Sequence, residues 1–136
     1  MKKLIEKEKT LRSLIDMPLD GIGVIDAQGI IYEVNALAAQ RRQKKIPELI
    51  GQNLWDLYPQ AIAQIRKKHV LKVFKTGKPE RYEDEYQGVW NDSNIYPIFD
   101  QEGKVFRVAI FNRDITKRKQ FEETLTESLA KNQALL

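Results

Sequence analysis

Twice in this chain, two runs rich in β-branched and aromatic residues meet across the tetrapeptide Asp-x-x-Gly. Asp26-Ala-Gln-Gly29 joins GIGVID (21–26) to IIYEV (30–34), and Asp100-Gln-Glu-Gly103 joins NIYPIFD (94–100) to KVFRVAIFN (104–112). An Asp that opens a tight turn and a Gly that closes it, where φ must be positive, specify hairpins. Residues 80–86 and 89–90 flank Gln87-Gly88, a third candidate turn. The strand count is therefore five, two early and three late. Connections this short imply antiparallel pairing.

Between the two strand groups lies a helical insert of some forty-five residues (35–79). Asn35 ends the second strand and is suited to cap the following helix, its side chain accepting an N–H of the first turn. PELIGQNLWD (47–56) reads as one or two short helical turns. Residues 60–76 read as a longer helix with Ile62, Ile65, Val70, Val73 and Phe74 on one face, stopped by Gly77 and Pro79. Both ends of the chain are helical in pattern. Residues 2–16 carry Leu4, Leu11, Leu14 and Ile15 among charges, one apolar stripe broken by Pro18, Asp20 and Gly21. The expected fold is α+β: a five-stranded antiparallel sheet, the insert on one face, and amphipathic helices flanking it at both termini. The last strand is almost continuously apolar from Val105 to Phe111, so both sheet faces should be covered, one by the insert and the other by terminal helices or a second subunit.

Composition narrows the chemistry. With no cysteine, the chain has no disulfide, thiolate nucleophile or thiol-linked cofactor, and one histidine, His69, cannot build a multi-histidine metal site. The net charge of +4 is concentrated at the start: residues 1–15 hold five Lys/Arg against two Asp/Glu, while 114–136 hold four of each. That is a solvated helix face, and no nucleic-acid motif accompanies it. No run is apolar enough for a membrane span or secretory leader, so a cytoplasmic location is expected. Gly21 and Gly23 lie inside a strand and make no dinucleotide fingerprint. Nothing points to an enzyme.

The order of elements resembles the PAS superfamily, and particular residues carry the likeness. Residues 21–35 resemble its opening hairpin with the terminal Asn, and 51–59 (GQNLWDLYP) its short helix after a Gly-containing bend. Residues 96–103 resemble its penultimate strand and turn, and Asp114-Ile115-Thr116 the junction that closes many bacterial members. The resemblance implies an N-terminal flanking helix over residues 1–16, a sensory core over 17–116 and an exit helix over 117–136. It also implies a non-catalytic input module, upstream of an output domain in the same chain, most often a histidine kinase, otherwise a diguanylate cyclase or transcriptional regulator. Such a module either binds a small ligand or cofactor or serves as a ligand-free dimerisation and relay domain. A roomy cavity with convergent polar groups favours the first, a filled interior the second.

Site candidates follow from the resemblance and from strand alternation. Ile22, Val24, Ile30, Tyr32, Val34, Val108, Ile110 and Asn112 read as inward-facing. Asn94 and Asn112 are polar anchors on strands similar to those that touch flavin in light-sensing relatives, whose photochemistry is excluded here by the missing cysteine. Tyr96, Trp90 and Trp55 read first as core aromatics, with Tyr96 kept as a ligand candidate. Haem-binding relatives use a histidine of the long insert helix. Here Arg66, Lys67, Lys68 and Lys72 crowd His69, which favours a structural or solvent-border histidine over a haem ligand. Asp114, Ile115 and Thr116 are expected to cap the exit helix and relay signal into it. Leu125, Leu129 and Asn132 fall on a short heptad seam that, with Leu4, Leu11 and Leu14, is expected to form a homodimer. The absence of a helix-stopping signal at Leu136 suggests a helix that runs on into another domain.

Overall fold

The computed structural model describes residues 6–10 and 19–134. Five strands form one antiparallel sheet: β1 (Gly21–Ile25), β2 (Ile31–Val34), β3 (Glu80–Tyr86), β4 (Val89–Phe99) and β5 (Val105–Asp114), in the order β2-β1-β5-β4-β3. The insert supplies α1 (Ala36–Arg41), α2 (Ile46–Leu49), a 3-10 turn (Leu54–Leu57) and α3 (Gln60–Thr76), and the chain leaves along α4 (Thr116–Ala134). This is the α+β architecture expected from the hairpin turns. Leu4, Leu11, Leu14 and Ile15 lie outside the described residues.

The two Asp-x-x-Gly turns are built alike. Asp26 Oδ1 accepts the N–H groups of Gln28 and Ile30, both at 3.0 Å. Asp100 Oδ1 accepts those of Glu102 and Lys104, both at 2.9 Å. Gly29 and Gly103 follow with φ of 95° and 81°. The third hairpin turns on two residues only, Gln87 (φ 52°) and Gly88 (φ 79°), the paired positive φ of a turn whose twist suits flanking strands. Pro97 has no N–H to give, and it sits in β4 beyond the reach of β3, whose first residue pairs with Ile95.

Asn35 caps α1 as expected, its Oδ1 accepting Ala38 N–H at 3.0 Å. The same fully buried amide also ties down the chain entering β1. Its Oδ1 accepts Ile22 N–H at 2.9 Å and its Nδ2 donates to the Asp20 carbonyl at 2.7 Å. The core between sheet and insert consists of Ile25, Ile31, Val34, Leu49, Val70, Val73, Ile95, Val108 and Ile110.

Two expectations about faces need correction. On α3 the buried residues are Ala63, Arg66, Val70 and Val73, while Ile65 is exposed, so the inward face is turned toward Arg66. On β1 the inward residues are Gly21, Gly23 and Ile25, opposite Asn112, Ile110 and Val108, so Ile22 and Val24 point to the other side of the sheet. A bulge explains β2. Val24 pairs with Glu33 but Ile25 pairs with Ile31, which leaves Tyr32 as the extra residue and lets both Ile31 and Val34 face the core. The outer face carries Tyr96, 45% exposed and edge-on to Phe111. Of the described helices, α4 meets this face near its start, where Lys119 pairs with Glu83 and lies over the Trp90 ring.

Candidate functional site

A cavity of about 370 Å³ lies between the inner sheet face and the insert, within the roughly 300–1,000 Å³ of small-molecule sites. Its depth is apolar, walled by Ile25, Ile31, Val34, Val70 and Trp55. Its floor includes Gly23, where an added Cβ meets nothing nearer than 3.7 Å. The exposed residues Arg41, Gln87, Val89 and Asp114 mark its mouth. Between depth and mouth, polar groups converge.

Those polar groups come from strand alternation and helix ends. In β3 the sequence ERYEDEY alternates, placing Tyr82, Asp84 and Tyr86 on the side facing α3. Arg66 of α3 meets Asp84 in a two-pronged pair, Nε to Oδ2 at 2.7 Å and Nη2 to Oδ1 at 3.0 Å. Burial is the largest single influence on Arg66 and opposes its charge, but the bonds and charge of Asp84, together with the electrostatic pull of Tyr58 and Tyr82, hold the guanidinium pKa above its ordinary value. Tyr58 stands between two guanidiniums, with Arg42 and Arg66 each 4.7 Å from its ring centroid, and its hydroxyl accepts from Arg42. Burial pushes the Tyr82 hydroxyl up to about 12, so it remains a neutral donor. In the neighbouring strands, Ser93 donates to Asn112 Oδ1.

Of the five ligand candidates, Asn112 lines this cavity. The other four lie elsewhere. Asn94 pairs with Phe111 while its neighbour Ser93 pairs with Asn112, so Asn94 takes the opposite face, together with Tyr96. Tyr32, on the bulge, donates to Asp26 and lies under the Arg107 guanidinium, 3.7 Å from its ring. His69 stacks on Tyr82 at 4.2 Å, faces Glu80 Oε1 at 3.2 Å and is absent from the cavity wall. Arg42, Tyr58, Arg66, Tyr82 and Asp84 escaped the sequence reading, although the Tyr-x-Asp-x-Tyr alternation of β3 was a usable signal for three polar groups on one face.

The junction joins the cavity to the exit helix. Asp114 Oδ1 accepts both the N–H and the hydroxyl of Thr116, at 2.9 and 2.6 Å, and these bonds hold its carboxyl below the usual range. The Thr116 oxygen was expected to serve a helix N–H. Instead it accepts Trp90 N–H of β4 at 3.0 Å, while Ile115 N–H donates to the Trp90 carbonyl at 2.9 Å. Ile115 is buried. One turn later Glu83 receives Lys119 at 2.8 Å and Arg118 at 3.1 Å. Beyond this anchorage Phe121, Leu125, Leu129 and Asn132 are all exposed. Among the described residues no helix is long and apolar enough to cross a membrane, and no cluster of three His, Cys, Asp or Glu could hold a metal ion.

Comparison with known proteins gives a consistent picture. The model of a family described as the PAS fold matches residues 19–120. The sensor histidine kinase TmoS of Ectopseudomonas mendocina is 23% identical over 133 residues, covering 89% of this chain. The chain spans only 14% of that relative's length. A crystal structure of a domain of an HTR-like protein from Haloarcula marismortui is 28% identical at a TM-score of 0.64, covering 71% of this chain and 98% of that one. The PAS domain of a Colwellia psychrerythraea protein is 23% identical at a TM-score of 0.68, with 80% and 97% covered.

Proposed function

The chain belongs to the PAS-fold family and resembles the PAS sensory domains of sensor histidine kinases, and from that premise we propose that it is the ligand-binding input module of a cytoplasmic sensor kinase. The module binds a small molecule between sheet and insert, pairs with a second copy, and relays occupancy along α4 to an output domain in the same chain. Residues 117–136 act as the exit segment, with Leu125, Leu129 and Asn132 on its seam, and residues 1–16 as the N-terminal flanking segment. One observation carries this reading: Asp114 both lines the mouth of the cavity and caps the exit helix. Whatever occupies the mouth therefore acts on the residue that fixes the start of α4. The cavity, with its convergent polar groups, speaks for ligand binding over a ligand-free relay.

Native mass spectrometry of protein purified from the cells that make it tests the reading. The expected species is a dimer carrying a small-molecule adduct. Gly23→Leu, which builds a side chain up from the open floor, is expected to lose the adduct while keeping its melting temperature within a few degrees. A bare protein at every concentration, or an adduct indifferent to the filled floor, would count against it.

The relay has its own test. Removing one cap oxygen costs about 0.5–2 kcal/mol, a small part of the roughly 5–15 kcal/mol stability of a domain. The double variant Asp114→Ala, Thr116→Ala is therefore expected to stay folded. Its Trp90 amide and first α4 turn should exchange hydrogen much faster than in the parent, and the output of the longer protein should stop following the stimulus. Normal switching would reduce the junction to a helix cap. The sign of the pH effect is also set. Because the Asp114 carboxyl is lowered in the folded state, its contribution is complete above the ordinary carboxylate range and fades as pH falls through the lowered folded value.

A further inference from the structure

We infer that the cavity selects a small organic monoacid, its apolar body against Ile25, Ile31, Val34 and Val70 and its carboxylate on Arg42 and the Tyr58 hydroxyl. This deepens the ligand-binding reading and rests on it.

Positive charge around the cavity is compensated unevenly. Three guanidiniums line it: Arg41, Arg42 and Arg66. Arg66 is neutralised by its two-pronged bond to Asp84. Arg41 donates to the Asn112 carbonyl at 2.9 Å and lies near enough to Asp114 to help lower its carboxyl. Arg42 is half-buried where Arg41 is exposed. Among the described residues neither has a carboxylate within ion-pair distance, but Arg41 stands at the open mouth with the Asp114 charge nearby, whereas the partner of Arg42 is the neutral Tyr58, through both the hydroxyl and the ring face.

A half-buried guanidinium with N–H donors to spare and no counter-charge attracts an anion, and its planar fork matches a carboxylate. The Tyr58 hydroxyl accepts from Arg42, so its own proton is free to point toward the same anion. The low dielectric of the apolar depth strengthens such a contact. One uncompensated cation suits one negative charge. The Ile and Val walls reject a second charge or a polyhydroxyl body, since such groups would be buried there without partners. A volume of about 370 Å³ keeps the acid small.

Position adds support. Arg42 is the C-cap of α1, fixed by its own N–H to the Ala39 carbonyl at 3.1 Å, and so presents its side chain from a defined backbone. Its neighbour Arg41 reaches Asn112, two residues before Asp114, so an acid drawn onto this end of α1 sits next to the junction.

Isothermal titration of the whole chain distinguishes the alternatives, with benzoate and hexanoate as acid probes and benzamide and hexanamide as their neutral counterparts. The acids are expected to bind about tenfold or more tightly than the amides, the difference that a charge-assisted contact supplies. Arg42→Gln should erase that margin, the acids losing far more affinity than the amides, whose neutral carbonyl accepts only a weaker bond from the guanidinium. Tyr58→Phe, which keeps the ring for both guanidiniums, should narrow the margin several-fold and covers the case in which the arginine variant fails to fold. If amides bind as well as acids and Arg42→Gln changes neither, the acid preference is wrong and the ligand site stands. Binding by neither class also overturns the acid assignment, and the ligand site itself is then decided by the adduct in native mass spectra.

Discussion

Replacing Arg66 by methionine is expected to destabilise the domain by about 3–5 kcal/mol, the cost of leaving one partner of a buried ion pair without the other. The side chains of Arg66 and Asp84 are 8% and 17% exposed and joined by two short bonds. Methionine fills much of the arginine stem's volume, so packing against Tyr58 and Tyr86 is mostly kept. What is lost is the counter-charge. Asp84 then stays in a poorly hydrated position, and its slight exposure places the cost toward the lower end of the range. The double variant Arg66→Met, Asp84→Leu removes both charges and should regain most of the loss, since apolar replacement of a whole buried pair is often neutral or stabilising. Urea melts of the parent, both single variants and the double variant give the coupling directly. A loss below about 1 kcal/mol in Arg66→Met would mean that Asp84 simply turns to water. Arg42→Gln provides the contrast, because it orphans no carboxylate and should change stability little.

Arg66 also shows where a sequence reading stops. The architecture was legible because its determinants are local. Asp-x-x-Gly specifies its own hydrogen bonds, Gln87-Gly88 its paired positive φ, and Asn35 and Gly77 the start and end of helices through their own conformations. The site was much less legible, because its residues are brought together by register and ion pairing. In a run of basic residues, Arg66 looks like its neighbours Lys67 and Lys68. Only Asp84, eighteen positions later and one strand away, makes it a buried residue. Asn94 and Asn112 were paired by analogy, but the observed register sets Ser93 against Asn112 and sends Asn94 to the opposite face. A shift of one residue exchanges the two faces of a strand, and nothing within either strand reveals which register holds. The bulge at Tyr32 is of the same kind: alternation alone predicts Tyr32 inward, and the extra residue turns it out. His69 was weighed as a metal ligand by its helix, whereas its surroundings are set by Tyr82 and Glu80 of the adjacent strand.

The other large effect is expected at Gly29, where a local turn signal and the cavity wall coincide. Gly29 has φ of 95°, and a Cβ there would lie 2.5 Å from two atoms of the Trp55 indole and 2.8 Å from Asn53 Oδ1. Asn53 cannot easily give way. Its Oδ1 accepts Trp55 N–H at 3.0 Å and its Nδ2 donates to the Gln28 carbonyl at 3.0 Å, while Leu54 N–H donates to the Gly29 carbonyl at 2.8 Å. Gly29→Ala therefore carries two costs. The backbone strain of a non-glycine at this φ is about 1–3 kcal/mol, and displacing the indole adds about 1–3 kcal/mol of overpacking. Gly103 separates them. It closes the equivalent turn with φ of 81°, and a Cβ there meets nothing within 4 Å, so Gly103→Ala bears the backbone cost alone. Thermal melts should show Gly29→Ala lower in Tm than Gly103→Ala, with a total fall on the order of 10 °C from the parent. Because Trp55 also walls the cavity, Gly29→Ala should weaken binding of every probe, acid and amide alike, whereas Gly103→Ala should leave binding unchanged. Equal losses of stability in the two variants would show that the indole moves freely and that Gly29 matters only for its turn.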